Sequence, residues 1–220
     1  MKKCLIFANG KPPRKSVIEY LYKNGYSTLI CADGGANYAY KLGLVPDYII
    51  GDLDSIKSDV LKYYQDKTII IKYSRQNDTD VEKCLKFAIQ KKYDEAILLG
   101  VTGDRLDHSL CNLGIVLKFL DRINVKIIHE KSVLMAMSGK QEFNTLPGET
   151  ISLYGFDSKT KITTHGLKYP LHNEPLPFGI RESTSNVALS NKVSLKIKNG
   201  TIFIIREYEV LRKNGFFQSA

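Results

Sequence analysis

The stretch Thr28–Ser55, TLICADGGANYAYKLGLVPDYIIGDLDS, decides the fold, because it places a helical segment between two short apolar runs. The runs Thr28–Ala32 and Tyr48–Ile50 predict strands, and the residues between them predict a helix over Ala36–Leu42 that ends at Gly43. Two strands joined through a helix form a parallel βαβ unit. Aspartates closely follow both runs, so the sequence places carboxylates near the carboxyl ends of neighbouring strands.

The same alternation extends across residues 1–130. Further strands are predicted by the apolar runs Cys4–Ala8, Thr68–Ile71, Ala96–Leu99 and Val125–Ile128. The intervening helices are predicted over Ser16–Lys23, Ser58–Tyr64, Thr79–Lys91 and Leu106–Leu120. The third of these begins with a capping box, in which Thr79 is the cap and Glu82 follows three residues later. Strands that alternate with helices predict an α/β domain with a Rossmann-like parallel sheet over residues 1–130.

The pattern changes after residue 130, where helical periodicity gives way to short alternating runs. These runs predict strands over Ser132–Met137, Thr150–Tyr154, Lys161–Thr164, Val187–Leu189, Val193–Ile197 and Thr201–Ile205. Between the last two runs, Asn199-Gly200 predicts a type I′ turn and therefore a hairpin. Residues 131–220 are expected to form an antiparallel β-sandwich domain. Its long irregular stretch, His165–Asn186, is rich enough in apolar residues to predict an ordered functional loop.

Composition narrows the class of protein. The chain has 220 residues, of which 43% are hydrophobic and 25% charged, with a net charge of +9. Its basic residues are scattered and do not alternate with aromatic ones, so we expect a small anionic substrate rather than a nucleic acid. The four cysteines show no metal-ligand spacing. The apolar run at the N-terminus is too short for a signal peptide, and no run approaches the ~20 residues of a membrane span, so we expect a cytoplasmic protein without a membrane partner.

Five aspartates stand close behind predicted strands, namely Asp33, Asp52, Asp54, Asp80 and Asp107. Ligands of open α/β sheets bind at the carboxyl ends of the strands, so these carboxylates are expected to converge. Converging carboxylates repel one another unless a cation lies between them, and Mg²⁺ with a phosphate ligand is the economical occupant. If the Asp52–Asp54 segment is extended, its two carboxylates point the same way and share the cation, while Leu53 points into the core.

Each motif also has a purely structural interpretation. Asp33-Gly34-Gly35 is equally compatible with a tight strand-to-helix turn and with close approach to a phosphate or ribose. Asp80 suits the positive end of a helix dipole as well as a metal site. Asp107 is a candidate base or substrate anchor, with Arg105 holding phosphate; alternatively it caps its helix while Arg105 neutralises Asp104.

Taken together and in this order, the motifs resemble the thiamine pyrophosphokinase family. The matching segments are Asp33–Asn37, Gly51–Ser55, Gln76–Asp80 with Lys83–Leu85, Gly103–Asp107, Gly166–Leu171 and Ser183–Asn186. Each segment is weak alone, but six in register are specific, and they span most of the chain. One departure is Tyr169, which stands where many family members have Trp. Tyr retains the ability to stack on a ring.

The resemblance implies an ATP:thiamine diphosphotransferase that moves the β,γ-diphosphoryl group of ATP to the hydroxyethyl oxygen of thiamine, giving thiamine diphosphate and AMP. It implies Mg²⁺ as cofactor and assembly as a homodimer. The residues it assigns to Mg²⁺ are Asp52, Asp54 and Asp80. Those assigned to the nucleotide are Asp33, Gly34, Gly35, Asn37 and Arg105. Those assigned to thiamine are Gln76, Asp107, Ser183, Ser185 and Asn186. The chemistry is expected to depend on Asp54, Asp80, Arg105 and Asp107.

Two other classes of function compete with this interpretation. A metal-dependent nucleotide phosphohydrolase would use the same carboxylates but leaves the apolar stretch Leu167–Ile180 unexplained. A non-catalytic nucleotide- or RNA-binding module would account for the positive charge. It predicts steep salt dependence of binding and little effect of Asp54→Asn.

Overall fold

The computed structural model describes residues 1–73, 77–103 and 105–218, and the chain forms two compact units, Met1–Glu130 and Lys131–Phe217. The strands of the first unit are β1 (Lys3–Phe7), β2 (Thr28–Ala32), β3 (Tyr48–Gly51), β4 (Ile69–Lys72), β5 (Glu95–Leu99) and β6 (Asn124–His129). Its helices are α1 (Lys15–Lys23), α2 (Gly35–Lys41), α3 (Ser58–Tyr64), α4 (Asp80–Gln90) and α5 (Leu106–Lys118). The predicted elements agree with these bounds to within two residues.

The six strands of the first unit form a sheet in the order β4-β3-β2-β1-β5-β6, and every neighbouring pair is parallel. Strands β1 and β5 are buried along their whole length, as expected of central strands in a parallel sheet covered on both faces. The chain extends the sheet outward from β1 to β4 and then returns to the other side of β1 as β5. The carboxyl ends of β1 and β5 therefore mark a topological switch point, where such sheets bind ligands.

The capping box at the start of α4 is confirmed. The Glu82 N–H donates to Thr79 Oγ1 at 3.2 Å, and the Thr79 N–H donates to the Glu82 carboxylate at 3.2 Å. Two backbone donors that the helix leaves unpaired are thereby satisfied. The cap fixes α4 to begin at Asp80, which places this carboxylate in the first helical turn.

The second unit is rich in strands. They are β7 (Ser132–Asn144), β8 (Thr150–Tyr154), β9 (Lys161–His165), β10 (His172–Glu174), β11 (Ser183–Val187) and β12 (Lys192–Glu207), followed by α6 (Tyr208–Lys213). Strand β12 pairs antiparallel with β7 along its length, with β9 through its first half and with β8 through its second half. Val193, Leu195 and Ile197 alternate with polar residues and are buried, so one face of this strand belongs to the core.

The predicted hairpin at Asn199-Gly200 is wrong, because both runs belong to the single strand β12. Ile197 lies opposite Gly139 and Thr201 opposite Ser138, so the chain continues along the same partner strand instead of reversing. Residues 198–200 form an irregularity in that pairing, and Asn199 has a φ of +60°. Some bulges, like type I′ hairpin turns, contain a left-handed residue, so Asn199-Gly200 did not distinguish the two.

The stretch His165–Asn186 is not a single irregular loop, since it contains β10 and β11. The predicted strand Val187–Leu189 is also displaced, because β11 covers Ser183–Val187. The buried Asn186 side chain orders the stretch: its Oδ1 accepts the Tyr169 N–H at 3.0 Å and its Nδ2 donates to the Tyr169 carbonyl at 2.7 Å. Across the described residues, no helix combines the length and the apolarity that crossing a membrane requires.

Candidate active site

Three carboxylates converge at the carboxyl edge of the parallel sheet. One oxygen each from Asp33, Asp52 and Asp80 lies within 4.8 Å of the other two. Asp33 follows β2, Asp52 follows β3 and Asp80 begins α4. Three separate elements therefore bring together what we call the acidic group, Asp33, Asp52 and Asp80.

Asp33 is the buried member of the acidic group and is held from several directions. Its backbone adopts a φ of +41°, its N–H donates to the Ile50 carbonyl at 3.0 Å, and its carboxylate accepts the N–H groups of Ser55 at 3.3 Å and Ile56 at 3.1 Å. Burial raises the pKa of the Asp33 carboxyl to about 6; the hydrogen bond from Ser55 opposes this effect and the charge of Asp80 adds to it. A carboxyl in this position gains from a nearby cation.

Asp52 behaves in the opposite way. Burial acts to raise its pKa, but hydrogen bonds from the Asp54 N–H and from the Asp33 side chain outweigh burial and lower it. Asp33 and Asp52 thus respond as a pair in which Asp33 retains its proton more readily. This is the expected behaviour of two neighbouring carboxyls without a metal ion between them.

Gly51 leaves the space in which the acidic group meets. A Cβ atom at this position would lie 2.7 Å from Asp33 Cβ and 3.2 Å from Asp80 Oδ1. The glycines after Asp33 are also sterically required: a Cβ on Gly35 would lie 2.0 Å from the Phe7 carbonyl oxygen, and one on Gly34 would lie 2.6 Å from the Asn9 side chain. The start of α2 therefore packs directly against the end of β1, which gives Gly34 and Gly35 a structural role of their own.

The Asp52–Asp54 segment is not extended, so the backbone premise for a cation shared by its two carboxylates is wrong, while Asp54 as a metal ligand stays a prediction. Leu53 has a φ of +67°, which turns the chain between the two aspartates and breaks the alternation of an extended strand. The Asp54 carboxylate is exposed and accepts the Ser55 hydroxyl at 2.8 Å. Within the described residues, the third member of the acidic group is Asp33 and not Asp54.

A cavity of about 990 Å³ opens beside the acidic group. The loops after β1, β2, β3 and β5 and the first turns of α4 and α5 form its wall. The acidic group lines the cavity, as do Arg105 and Asp107. All of these elements belong to the first unit, and the cavity includes the switch point between β1 and β5.

Arg105 and Asp107, in the wall of the cavity, form a bidentate pair. Arg105 Nε donates to Asp107 Oδ1 at 2.9 Å, and an Arg105 terminal nitrogen donates to Oδ2 at 2.6 Å. About two-thirds of each side chain is exposed, at 68% and 63%. The hydrogen bonds from Arg105 lower the pKa of Asp107, so Asp107 is a poor base in this arrangement. The alternative pairing of Arg105 with Asp104 involves a residue outside the described part of the chain.

Asn37 braces the loop that supports Asp33. Its Nδ2 donates to the Ser55 carbonyl at 3.0 Å, and its Oδ1 accepts the Lys57 N–H at 2.9 Å. Both ends of the amide are therefore engaged with the segment that supplies the Ser55 and Ile56 N–H groups to Asp33. The structure places this predicted nucleotide ligand in a supporting position.

The residues predicted to contact thiamine are distributed along the chain. Ser183, Ser185 and Asn186 lie in the second unit, where Ser183 and Asn186 are hydrogen-bonded to each other at 3.1 Å. Ser185 is exposed with a φ of +51°, and its N–H donates to Ser152 Oγ at 3.0 Å. Gln76 lies outside the described residues.

Two features of the cavity wall were not assigned from the sequence. The first is the Asn9–Lys11 loop after β1: the Gly10 N–H donates to the Gly100 carbonyl at 2.6 Å and the Lys11 N–H to the Thr102 carbonyl at 3.1 Å. The second is Lys83, whose ammonium donates to Asp80 Oδ1 at 2.8 Å. The loop contains no acidic residue that would mark it in the sequence. Lys83 belongs to a segment that carries the family resemblance, and its spacing of three residues from Asp80, on the same helix face, is the signal that could have assigned it a role.

Comparisons with known proteins identify related chains over most of this sequence. The family model described as the thiamin pyrophosphokinase catalytic domain matches residues 20–129, and the model described as the vitamin B1 binding domain of thiamin pyrophosphokinase matches residues 140–202. Thiamine pyrophosphokinase 1 of Arabidopsis thaliana is 29% identical over 80% of this chain and 76% of its own length. Thiamine pyrophosphokinase of Bacillus subtilis is 26% identical over 84% of this chain and 89% of its own length.

Solved structures show the same fold. The crystal structure of thiamine pyrophosphokinase from Bacillus subtilis superimposes with a TM-score of 0.82 over 94% of this chain and 99% of that chain, at 23% identity. The crystal structure of the yeast thiamin pyrophosphokinase gives a TM-score of 0.83 over 96% of this chain and 88% of that chain, at 20% identity. The mixed α/β architecture, with a sheet core and a later strand-rich part, is thus common to all three.

Proposed function

The chain belongs to the thiamine pyrophosphokinase family, and we propose that its acidic group and the adjoining cavity hold ATP together with Mg²⁺. The protein is an enzyme, a thiamine diphosphokinase, which transfers the β,γ-diphosphoryl group of ATP to the hydroxyethyl oxygen of thiamine and releases AMP. The relatives and the family models support this activity and give no support to the phosphohydrolase alternative.

One observation carries the proposal for the site, which is the convergence of three carboxylates from three elements to within 4.8 Å at the wall of the cavity. Carboxylate oxygens are the ligands that Mg²⁺ prefers, and Mg²⁺ is usually bound by one or two carboxylates plus substrate phosphates. The space that Gly51 leaves open supports the fit. A bound Mg²⁺ would neutralise charge that develops on the phosphate oxygens. Asp52 and Asp80 are the ligands we propose first, and the buried Asp33 orients the group.

Arg105 and Asp107 are proposed to exchange partners when substrates bind. The planar guanidinium that now holds the Asp107 carboxylate matches phosphate oxygens in the same bidentate manner. Once Arg105 binds the polyphosphate of ATP, Asp107 loses the hydrogen bonds that lower its pKa and becomes a better proton acceptor. We propose that Asp107 then accepts the proton of the thiamine hydroxyl as it attacks the β-phosphorus.

The remaining features implied by the family are proposals of the same kind. For the site, they comprise nucleotide contacts of the Asp33–Asn37 segment, catalytic or metal contacts of Asp54, and thiamine contacts of Gln76, Ser183, Ser185 and Asn186. For the whole chain, they comprise a β-sandwich packing of residues 131–220, a cytoplasmic location and assembly as a homodimer. The Asn186 side chain also orders the backbone around Tyr169. The first half of the chain is proposed to supply the ATP site and the second half to bind thiamine.

Chromatography of nucleotides tests the function. The protein is incubated with ATP, Mg²⁺ and thiamine, beside a reaction that lacks thiamine. We expect AMP and thiamine diphosphate in equal amounts, and only when thiamine is present. AMP without thiamine, or ADP and free phosphate as products, would contradict diphosphoryl transfer and favour hydrolysis.

A further inference from the structure

Lys83 lines two cavities, one of which adjoins the acidic group. It lines the cavity of about 990 Å³ and also a smaller one of about 180 Å³, together with Tyr73, Asp78, Lys86, Phe87 and Gln90. Its side chain is only 6% exposed, and its ammonium donates to Asp80 Oδ1 at 2.8 Å. A nearly buried cation therefore lies directly beside the proposed metal ligands.

The ammonium of Lys83 lies beside the acidic group. It donates a hydrogen bond to Asp80, whose carboxylate lies within 4.8 Å of those of Asp33 and Asp52. Lys86, on the same helix, is paired with Asp78 at 2.6 Å. Lys83 is thus the cation that faces the acidic group from α4. Its positive charge reduces the repulsion between three neighbouring carboxylates.

Resting on the metal and ATP site proposed above, we propose that Lys83 is a displaceable counter-cation of the acidic group. It holds Asp80 in place while no metal is bound. It leaves Asp80 and binds the polyphosphate of ATP when the nucleotide enters with its metal. A lysine suits this exchange because its ammonium is a point charge on a flexible stem with three rotatable donors. The 180 Å³ cavity that Lys83 also lines gives the stem room to move.

The proposal predicts opposite effects on two ligands when the ammonium is removed. A divalent metal alone binds more tightly, because Lys83 no longer repels it or competes for Asp80. ATP binds more weakly, because one partner of its phosphates is lost. A lysine that only supported the fold would change neither affinity in this pattern, since loss of packing weakens both ligands together.

Titration of nucleotide-free protein with Mn²⁺, followed by electron paramagnetic resonance, measures the metal affinity without catalysis. In Lys83→Met we expect the Kd for Mn²⁺ to fall roughly tenfold, a modest estimate for removing one unit charge at this distance. The KM for ATP is expected to rise about tenfold or more in steady-state assays, as for the loss of a hydrogen bond to a charged group. Lys86→Met is the matched control, because it removes a neighbouring ammonium that is paired with Asp78, and its Kd for Mn²⁺ should equal that of the wild type.

Lys83→Arg retains the charge and is expected to keep the wild-type Kd for Mn²⁺. It also serves as the variant of choice if Lys83→Met does not fold, since a tenfold tightening in Lys83→Arg would contradict a role for the charge. An unchanged or higher Kd for Mn²⁺ in Lys83→Met overturns the proposal for Lys83 alone. Absence of Mn²⁺ binding by the wild type would overturn the metal site as well, so the two failures are distinguishable.

Discussion

The acidic group and the pair formed by Arg105 and Asp107, which both line the cavity, are constructed differently. Asp33 is buried and receives two backbone N–H groups, and the loop that supplies them is braced by Asn37. Arg105 and Asp107 are exposed, and their side chains are joined to each other by two hydrogen bonds. The acidic group is therefore organised before any ligand arrives, whereas Arg105 and Asp107 can exchange partners at little cost, because exposed ion pairs contribute little to stability.

Asp52→Asn tests the acidic group directly. We expect kcat/KM to fall by about 10³-fold, because several kcal/mol of charge stabilisation by the metal would be lost. Asp59→Asn, an exposed aspartate in the first turn of α3, is the matched control and should retain full activity. AMP formation with thiamine measures both variants. Wild-type kcat/KM in Asp52→Asn would exclude the acidic group from the chemistry.

Arg105→Ala tests the pair formed by Arg105 and Asp107, whose partners are proposed to exchange. We expect kcat/KM for ATP to fall roughly 10²-fold, the effect of losing hydrogen bonds to a charged group, while the melting temperature stays unchanged. Arg105→Lys should recover only part of this loss, since an ammonium cannot make the bidentate contact. Steady-state kinetics and thermal unfolding are the measurements. A lowered melting temperature in Arg105→Ala would show that this pair, too, is part of the folded framework.

Gly51→Ala closes the space in which the side chains of the acidic group lie together. The added Cβ would lie 2.7 Å from Asp33 Cβ, so we expect unfolding to become easier by about 1–3 kcal/mol and activity to fall by roughly tenfold. Gly114→Ala is the control, because a Cβ there meets nothing within 4 Å and alanine favours the helix by up to about 1 kcal/mol. Thermal unfolding should therefore shift in opposite directions in the two variants.

Asn37→Ala is expected to have the smallest effect. It removes two hydrogen bonds that hold the 55–57 segment, at a cost of about 1–2 kcal/mol, which lowers the melting temperature by a few degrees. Activity should fall only a few-fold, because Asp33 keeps its own hydrogen bonds. If Asn37 contacts the nucleotide directly, KM for ATP will rise by far more than the loss of stability explains, and this result would contradict a purely bracing role.

The parallel α/β unit could be predicted from the sequence alone, because the spacing of apolar residues and the capping of helices are local properties. Buried runs such as Glu95–Leu99 and the capping box of Thr79 and Glu82 depend on residues a few positions apart. The sequence also determined which loops carry carboxylates, since a residue that follows a strand in a parallel sheet must lie at its carboxyl edge. The family resemblance followed from the same loops, read in order.

Which of the residues in these loops lie close together depends on the tertiary structure. The loop that follows Leu53 folds onto Asp33, whose carboxylate accepts the N–H groups of Ser55 and Ile56, and this long-range contact fixes Asp33 within the acidic group. Asn199-Gly200 forms a bulge because β12 keeps β7 as its partner on both sides of it. Lys83 meets Asp80 through local helix spacing, but it lies near Asp52 and Asp33 only because α4 packs at this edge of the sheet. Contacts between residues distant in sequence depend on the packing of whole elements, which no local pattern specifies.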